Sequence, residues 1–252
     1  MLQCDHIEVR RGAFTLGPVT CEAPPAAITA VVGPNASGKT TLLHAAAGIL
    51  APTAGRVFCG GVNMVDMPTS ARAASVVLLP QRPAADLPLA VERLVELGCL
   101  RREGGAAAAL VAEAIERFGL EDLRDRPVAS LSAGQAQRAH LARVWSQRSS
   151  NAVLVLDEPT APLDHRWAGR VWAMLHEHAG AGGSVLVAVH DLAVAADAAD
   201  EAWLLRDGTL AASGPGEAVL QPERLEEAFE AGFEWAPRGD GSRWLVPSTS
   251  SV

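Results

Sequence analysis

The sequence predicts an α/β protein built around a parallel β-sheet, and three segments carry that prediction. Residues 28–32 form an apolar run that leads into a glycine-rich turn and then into a helix-forming stretch. Residues 153–156 form a second apolar run, which ends in Asp157 and Glu158. Both runs suit strands that are buried on both faces of a sheet. The third segment, residues 89–145, is rich in helix-forming residues and separates two sheet-forming halves.

The composition limits the class of protein. A chain of 252 residues with 49% hydrophobic residues can bury one large core or two modest ones. The net charge of −8 and the lack of a basic stripe argue against a nucleic-acid partner. The four cysteines are far apart, which predicts neither a zinc site nor a disulfide framework and favours a reducing cytosol. No apolar run reaches the length of about 18 residues that a membrane span needs, so we expect a chain that is neither secreted nor membrane-spanning.

The first third of the chain is predicted to hold short strands around one helix. Residues 6–10 alternate between polar and apolar side chains, and a double proline precedes the buried run at 28–32. The predicted elements are strands within residues 6–32, at 55–59 and at 74–79, and a helix from Thr40 to about Gly48.

The rest of the chain is predicted to change from helices back to strands and to end in an appendage. Alanine, leucine and glutamate dominate the predicted helices at residues 89–97, 105–118 and 135–145. Strands are predicted at 152–156, 184–189, 202–205 and 209–212, with a helix at 167–178 that a glycine cluster ends. Recurring prolines after Gly214 indicate a small appendage, with a helix at 222–231 and two final strands.

The glycine-rich turn GPNASGKT, residues 33–40, has the spacing of a phosphate-binding loop. Its backbone N–H groups can face a polyphosphate because the loop ends at a helix N-terminus, where unpaired N–H groups and the dipole attract anions. Lys39 is expected to reach the β- and γ-phosphates, and Thr40 to ligate Mg²⁺. The alternative is a chance match in a strand-turn-helix unit. The predicted nucleotide contacts are Gly33, Pro34, Asn35, Ala36, Ser37, Gly38, Lys39, Thr40 and Thr41.

Two carboxylates at the end of the apolar run at 153–156 predict a catalytic and metal-binding pair. The carboxyl ends of parallel strands meet at one edge of a sheet, so this pair is expected beside the phosphate-binding loop. Asp157 is predicted to bind Mg²⁺ through water, and Glu158 to act as the general base that faces the γ-phosphate. The alternative is that the acid pair only caps a helix.

The segment Leu131-Ser132-Ala133-Gly134-Gln135 resembles LSGGQ, the signature of the ATP-binding cassette (ABC) family, with Ala133 in place of a glycine. Three further motifs occur in the family's order. Gln81 in LLPQ looks like the Q-loop, residues 162–164 look like the D-loop with Asp164, and His190 looks like the switch histidine. Taken singly, these residues could be a polar strand end, a helix cap and an imidazole bonded to Asp191.

The resemblance implies a fold, a reaction and a dimer. The implied fold is a P-loop NTPase (RecA-like) core with an antiparallel β subdomain and an inserted α-helical signature subdomain. The implied boundaries are an ATPase domain at residues 1–215, with its helical part at about 85–147, and an appendage at 216–252. ATP and Mg²⁺ are the implied cofactors, and Gln81 is an implied metal contact. Ser132, Gly134, Gln135 and Asp164 are implied to close over the nucleotide of a second copy, in an ATP-dependent head-to-tail homodimer.

Besides Ala133, the chain departs from the family pattern in two further places. Ala36 replaces a glycine of the loop, so residue 36 must take a backbone conformation that a Cβ tolerates. The family places an aromatic residue on adenine, but this chain has no tyrosine and the matching region reads Arg10-Arg11. An arginine can stack through its guanidinium plane. Phe14 lies a few residues later, and the choice among the three residues stays open.

Among ABC proteins, a lone cassette is either a transporter motor or a soluble repair or translation protein, and the short insert favours the transporter. The C-terminal region resembles motors of cobalamin, ferric-siderophore and haem importers, whereas residues 80–98 are also similar to zinc and manganese importer motors. The implied partners are membrane permease subunits and, through them, a substrate-binding protein. The implied location is peripheral, at the cytoplasmic face of the membrane. Residues 82–96 are predicted to dock the permease, with Leu87, Leu89 and Val91 as apolar anchors. The alternative is that these residues only pack the helical insert onto the core.

The triplet His176-Glu177-His178 is predicted to be a solvated surface turn and not a metal site. Residues i and i+2 do not share one face of a helix, so the two imidazoles cannot converge on one ion.

Overall fold

The structure is a computed structural model that describes residues 1–84, 86–100, 105–239, 241 and 243–248. Its strands are β1 (Leu2–Arg11), β2 (Phe14–Ala23), β3 (Ala27–Val32), β4 (Ala54–Cys59), β5 (Val62–Asn63), β6 (Val76–Leu79), β7 (Val153–Asp157), β8 (Ser184–Ala188), β9 (Glu201–Arg206), β10 (Thr209–Pro215), β11 (Phe233–Pro237) and β12 (Arg243–Pro247). Its α-helices are α1 (Lys39–Ala46), α2 (Thr69–Ser75), α3 (Val91–Glu96), α4 (Gly105–Arg117), α5 (Ala133–Gln147), α6 (His165–Gly180), α7 (Leu192–Ala198), α8 (Gly216–Val219) and α9 (Pro222–Phe229).

The main sheet is the predicted parallel sheet. Its six strands lie in the order β10-β9-β3-β8-β7-β6. All neighbours are parallel except the hairpin of β9 and β10. A separate four-stranded antiparallel sheet has the order β2-β1-β4-β5. The predicted fold class is therefore confirmed.

Two hydrophobic cores lie on opposite faces of the main sheet. Along β3, Ile28, Ala30 and Val32 pack into a core with the helices α3 to α7. Val31 points the other way, into a core with α1 and the antiparallel sheet. Because successive strand residues point to opposite faces, a strand covered on both faces needs an unbroken apolar run.

The predicted strand at residues 74–79 was wrong in its first part. Residues 74 and 75 end the helix α2, and β6 begins at Val76. Alanines favour helix, and the apolar run hid this helix boundary because the two elements join without a glycine or proline between them.

The anchors predicted for a docking surface are only partly available. Val91 is fully buried at the start of α3, so it cannot contact a partner. Leu87 is partly buried and packs against the core on the helical face of the sheet. Its place in the core is the simpler interpretation.

The C-terminal appendage packs onto the helix that follows β8. Leu225 of α9 and Leu245 of β12 are buried in the core of the helical face. Arg238 donates to Asp197 of α7 at 2.5 Å. Residues 240, 242 and 249–252 of the predicted appendage lie outside the described residues, as do residues 85 and 101–104 of the predicted helical part. Among the described helices, none is long and apolar enough to cross a bilayer.

His178 is buried, contrary to the prediction of a solvated turn. The residue is 3% exposed, and its Nε2 lies 2.9 Å from the backbone oxygen of Ala152. Helix α6 presents this position to the sheet, whereas His176 is exposed. Burial, the largest cause, lowers the pKa of His178 below its ordinary 6.5.

We therefore expect acid to destabilise the fold through His178. A folded-state pKa below 6.5 gives stability that is present above pH 6.5 and is lost as the pH falls through the folded value. Gln in place of His178 can still donate to Ala152 without taking up a proton. The melting temperature of His178→Gln should therefore fall less than that of the parent between about pH 7.5 and pH 5. The exposed control His176→Gln should follow the parent. Identical pH dependence of His178→Gln and the parent would contradict this account.

Candidate active site

The loop between β3 and α1 owes its shape to two glycines. Gly33 has φ 152° and Gly38 has φ 107°, in a region that favours glycine. A Cβ at Gly33 would collide with the backbone oxygen of Leu205. A Cβ at Gly38 would lie 2.9 Å from Leu16 Cδ1 and 3.0 Å from Phe14 Cζ. The loop therefore runs tightly between β9 and the start of β2.

Ala36 takes the left-handed conformation, with φ 62°. For a residue with a Cβ this conformation costs about 1–2 kcal/mol. The loop thus adopts its shape in spite of the alanine, and the surrounding contacts offset the strain.

The turn between β9 and β10 supports the loop, a contact that sequence analysis missed. Gly208 donates its N–H to the oxygen of Ser37 at 3.1 Å, and its own oxygen accepts from Gly17 at 2.7 Å. Asp207 and Gly208 have φ 48° and 76°. An Asp-Gly pair is a known hairpin signal, so the turn was readable from sequence although its contact with the loop was not.

Lys39 lies in the loop with its ammonium held by backbone oxygens. Nζ donates to the oxygens of Gly33 at 2.7 Å and Pro34 at 3.0 Å. Burial lowers the pKa of Lys39, and the neighbouring carboxylates Glu158 and Asp157 partly oppose that effect. The ammonium can exchange these hydrogen bonds to neutral carbonyl groups for stronger ones to a charged phosphate in the loop.

Thr40 and Asp157 join α1 to the end of β7. The Thr40 hydroxyl donates to Asp157 Oδ2 at 2.7 Å. Asp157 is 0% exposed, and its other oxygen, Oδ1, is buried without a hydrogen-bond partner. Burial, the largest cause, raises the pKa of Asp157. Mg²⁺ prefers oxygen ligands, and this pair offers a buried carboxylate oxygen without a hydrogen-bond partner beside the Thr40 hydroxyl. These residues therefore fit that ion.

Glu158 is the meeting point of two other predicted residues. Gln81 Nε2 donates to Glu158 Oε1 at 2.9 Å, and His190 Nε2 lies 2.5 Å from the same oxygen. Glu158 has a left-handed backbone, with φ 52°. The alternative that this acid caps a helix is wrong, because the next helix begins at His165 and its cap is Asp164.

One cavity of about 380 Å³ collects most of the predicted site. The residues that line it are Phe14, Asn35, Ala36, Ser37, Gly38, Lys39, Thr40, Thr41, Gln81, Glu158 and His190. The fold and this cluster define a P-loop nucleoside triphosphatase.

Phe14, and neither arginine, lines the cavity among the three candidates for an adenine contact. Arg10 and Arg11 end β1 and are exposed, and Arg10 lies 3.8 Å from Glu8. Phe14 opens β2, opposite Arg11, and the hairpin turns its ring onto Gly38. The sequence alone does not show which strand of this hairpin faces the phosphate-binding loop, so the three residues could not be told apart there.

The signature and D-loop residues lie outside this cavity. Ser132 caps α5: its Oγ accepts from Gln135 N at 3.3 Å, and Gln135 Oε1 accepts from Ser132 N at 3.0 Å. Asp164 caps α6 by accepting from Trp167 N at 2.8 Å. Asp191, the expected neighbour of His190, caps α7 instead. The same chain therefore does not bring its own signature to its own phosphate-binding loop.

Comparisons with known proteins identify the family. The family model described as ABC transporter matches residues 16–161. The hemin import ATP-binding protein HmuV of Pseudomonas aeruginosa is 37% identical, over 91% of this chain and 92% of that protein. HmuV of Streptomyces coelicolor is 38% identical, over 95% of this chain and 86% of that protein. The chain belongs to the ABC transporter family and is an ATP-binding ATPase of that family.

A solved structure of a metal-chelate type ABC transporter, in an inward-facing conformation, has the same fold. Its TM-score is 0.81 at 22% identity, and the match covers 99% of this chain and 98% of that one. A dimeric ATP-binding cassette with ADP and phosphate has a TM-score of 0.73 at 21% identity, covering 85% of this chain and 98% of that one. At these identities the likeness concerns the fold.

We expect Phe14 to stack on adenine. Replacing it with leucine should weaken ATP binding about tenfold, because base–aromatic stacking contributes about 1–3 kcal/mol. Phe14→Trp should retain most of the affinity. Titration with a fluorescent ATP analogue measures this, and competition by inorganic tripolyphosphate, which has no base, should be unchanged in all variants.

The double variant Arg10→Ala, Arg11→Ala is the matched control and should bind ATP like the parent. Loss of affinity in the control, with none in Phe14→Leu, would assign the base contact to the arginines.

Proposed function

We propose that this chain is the ATP-hydrolysing motor subunit of a multi-chain importer, and that the imported substrate is haem. The observation that carries the hydrolytic part is the convergence of Gln81 and His190 on one oxygen of Glu158, beside the phosphate-binding loop. The relatives from Pseudomonas aeruginosa and Streptomyces coelicolor are hemin import ATP-binding proteins, which supports haem as the substrate.

In the proposed reaction, Glu158 is the general base. Its carboxylate takes a proton from the water that attacks the γ-phosphate. Oε1 already accepts one hydrogen bond from Gln81 and lies beside His190, so one of these contacts has to open, or Oε2 has to act, before water is activated. Lys39 would release the oxygens of Gly33 and Pro34 and follow the phosphate.

The metal role falls to Thr40, Asp157 and Gln81. Mg²⁺ bound there would neutralise phosphate charge. Thr40 already orients Asp157 Oδ2, which leaves the unpartnered Oδ1 to face a cation or its water shell.

The second half of each site is proposed to come from another copy of this chain. Ser132, Gly134 and Gln135 lie at the start of α5, a helix of 15 residues whose N-terminus can bind an anion. Asp164 starts α6 close by. None of these four lines the cavity that holds Lys39, which supports a head-to-tail arrangement.

The proposed assembly also contains membrane permease subunits and, through them, a substrate-binding protein, with this chain peripheral at the cytoplasmic face. The import relatives support these partners. The division into an ATPase domain at 1–215, with a helical part at about 85–147, and an appendage at 216–252 is retained as a proposal. Cobalamin or a ferric siderophore, zinc or manganese, and a soluble function are the alternatives.

The shared site predicts ATP-dependent dimerisation. Glu158→Gln should bind ATP without hydrolysing it, because the base is lost while the loop is intact. Light scattering should show the 26.3 kDa monomer without nucleotide and twice that mass with Mg-ATP. A chain that stays monomeric under both conditions would exclude the shared site.

Haem uptake tests the substrate. Cells that depend on this chain and its membrane subunits should accumulate haem in preference to cyanocobalamin or a ferric siderophore. Lys39→Ala should reduce both uptake and ATP hydrolysis to background, because it removes the mobile cation of the loop.

Ala36→Gly is the control within the same loop. It removes a strained Cβ while leaving Lys39 in place, so uptake should stay equal or rise slightly.

If the cells take up cyanocobalamin or the siderophore in preference, haem is not the substrate and the preferred compound is. Hydrolysis at the parent rate in Lys39→Ala would exclude this loop as the active site.

A further inference from the structure

The start of α5 is attached at three points to the segment that follows Glu158. Gln137, which is 4% exposed, donates from Nε2 to the oxygen of Pro159 at 2.8 Å. A Cβ at Gly134 would lie only 3.1 Å from the oxygen of Pro162. The guanidinium carbon of Arg138 lies 4.3 Å from the ring centroid of Trp167. The signature turn therefore rests on the D-loop of its own chain.

Trp167 connects α6 to α5 and to the chain just beyond the end of α4. Its backbone N–H donates to the side chain of Asp164, the cap of α6, so the ring lies in the first turn of that helix. Arg138 of α5 contacts the ring and also donates to the oxygens of Phe118 and Gly119, at 2.6 and 2.8 Å, just beyond the end of α4. A Cβ at Gly119 would lie 2.9 Å from Trp167 Cη2, so the ring packs directly against that backbone.

The contact is of a kind that orients helices more than it fills a core. Trp167 is only partly buried, and a second guanidinium, that of Arg170, lies 4.8 Å from its ring centroid. A cation over an indole contributes about 0.5–2 kcal/mol. Neither Trp167 nor Arg138 lines the nucleotide cavity.

We propose that Trp167 is a positioning residue that, together with Gln137, fixes the signature turn relative to Glu158 of the same chain. The inference rests on the proposed shared site. In that dimer, Ser132 and Gly134 serve the nucleotide of the partner, while Glu158 serves the chain's own nucleotide. A rigid link between them makes closure at one site move the catalytic base at the other, so the two sites act together.

The experiment measures dimerisation separately from nucleotide binding. In the Glu158→Gln background, Trp167→Leu should weaken ATP-driven dimerisation about tenfold, because both cation–π contacts of the ring are lost and the signature turn is no longer held in the orientation that the dimer needs. Binding of a fluorescent ATP analogue to the monomer should be unchanged. Trp167→Phe keeps an aromatic face and should restore most of the dimerisation.

Steady-state kinetics give an independent readout. With Glu158 intact, Trp167→Leu should lower kcat several-fold with little change in KM, and the Hill coefficient for ATP should fall towards one. Gln137→Met removes a different attachment at similar side-chain size, so it should give the same pattern. It keeps the inference testable if Trp167→Leu does not fold.

Trp145→Phe is the matched control. Trp145 also has two guanidiniums on its ring, from Arg148 at 3.4 Å and Arg117 at 5.2 Å, but these contacts do not involve the segment after Glu158. It should lower the melting temperature and leave dimerisation like that of its parent.

Three results would overturn the inference. The first is that Trp167→Leu dimerises like its Glu158→Gln parent. The second is that its monomer loses affinity for the nucleotide in proportion to its loss of dimerisation. The third is that Trp145→Phe weakens dimerisation as much as Trp167→Leu does. If the Glu158→Gln parent itself stays monomeric with ATP, the shared site fails. If the Glu158→Gln parent dimerises and Trp167→Leu dimerises equally well, only the positioning role is refuted.

Discussion

The hydrogen bond from Thr40 to Asp157 fixes the phosphate-binding loop against the strand that carries the acid pair, and the rest of the site is arranged around this contact. It connects the first turn of α1 to the end of β7 at 2.7 Å. Burying a carboxylate is unfavourable unless hydrogen bonds or charges compensate it. Here one oxygen accepts from the Thr40 hydroxyl, while the other is buried without a hydrogen-bond partner, and this burial raises the pKa of Asp157. The parallel register of β7 beside β8 makes the contact possible, because it brings the end of β7 to the edge where the loop begins.

Two residues beside this bond have a strained backbone. Ala36 and Glu158, which flank the cavity, both have left-handed backbones without being glycines. Such residues cost about 1–3 kcal/mol each and persist only where the surroundings hold them. For the loop, the surroundings are the Asp207-Gly208 turn and the tight approach of Gly33 to β9. For Glu158, they are Gln81, His190 and a backbone hydrogen bond from Glu158 N to Ala188 at 3.2 Å. Backbone contacts thus hold the phosphate-binding loop, whereas side-chain contacts that can be exchanged hold much of Glu158 in place.

The helical layer connects to this site through a few polar contacts. Arg143 of α5 donates to the oxygen of Leu78 at 2.8 Å, close before Gln81, and His140 Nε2 lies 3.0 Å from the oxygen of Ala84, just after it. Burial lowers the pKa of His140, which favours the neutral ring that this contact holds. The same helix α5 therefore contacts the chain on both sides of Gln81 and, through Gln137 and Arg138, the segment after Glu158. A movement of α5 would therefore shift the surroundings of both Gln81 and Glu158, which share a hydrogen bond.

The sequence by itself determined the local features of this protein. The loop at 33–40, the acid pair after β7, the signature turn and the strands buried on both faces all depend on residues adjacent in the chain, where spacing and glycine positions dictate the conformation. The tertiary structure decided the contacts between elements that are distant in the chain. It turned Phe14 towards the loop and left Arg10 and Arg11 outside, buried His178 and Val91, and set the Asp207-Gly208 turn against Ser37. The longest of these contacts, from Ser37 to Gly208, joins residues 171 positions apart. No local pattern encodes such contacts, because the pairing of strands and the packing of helices select the partners.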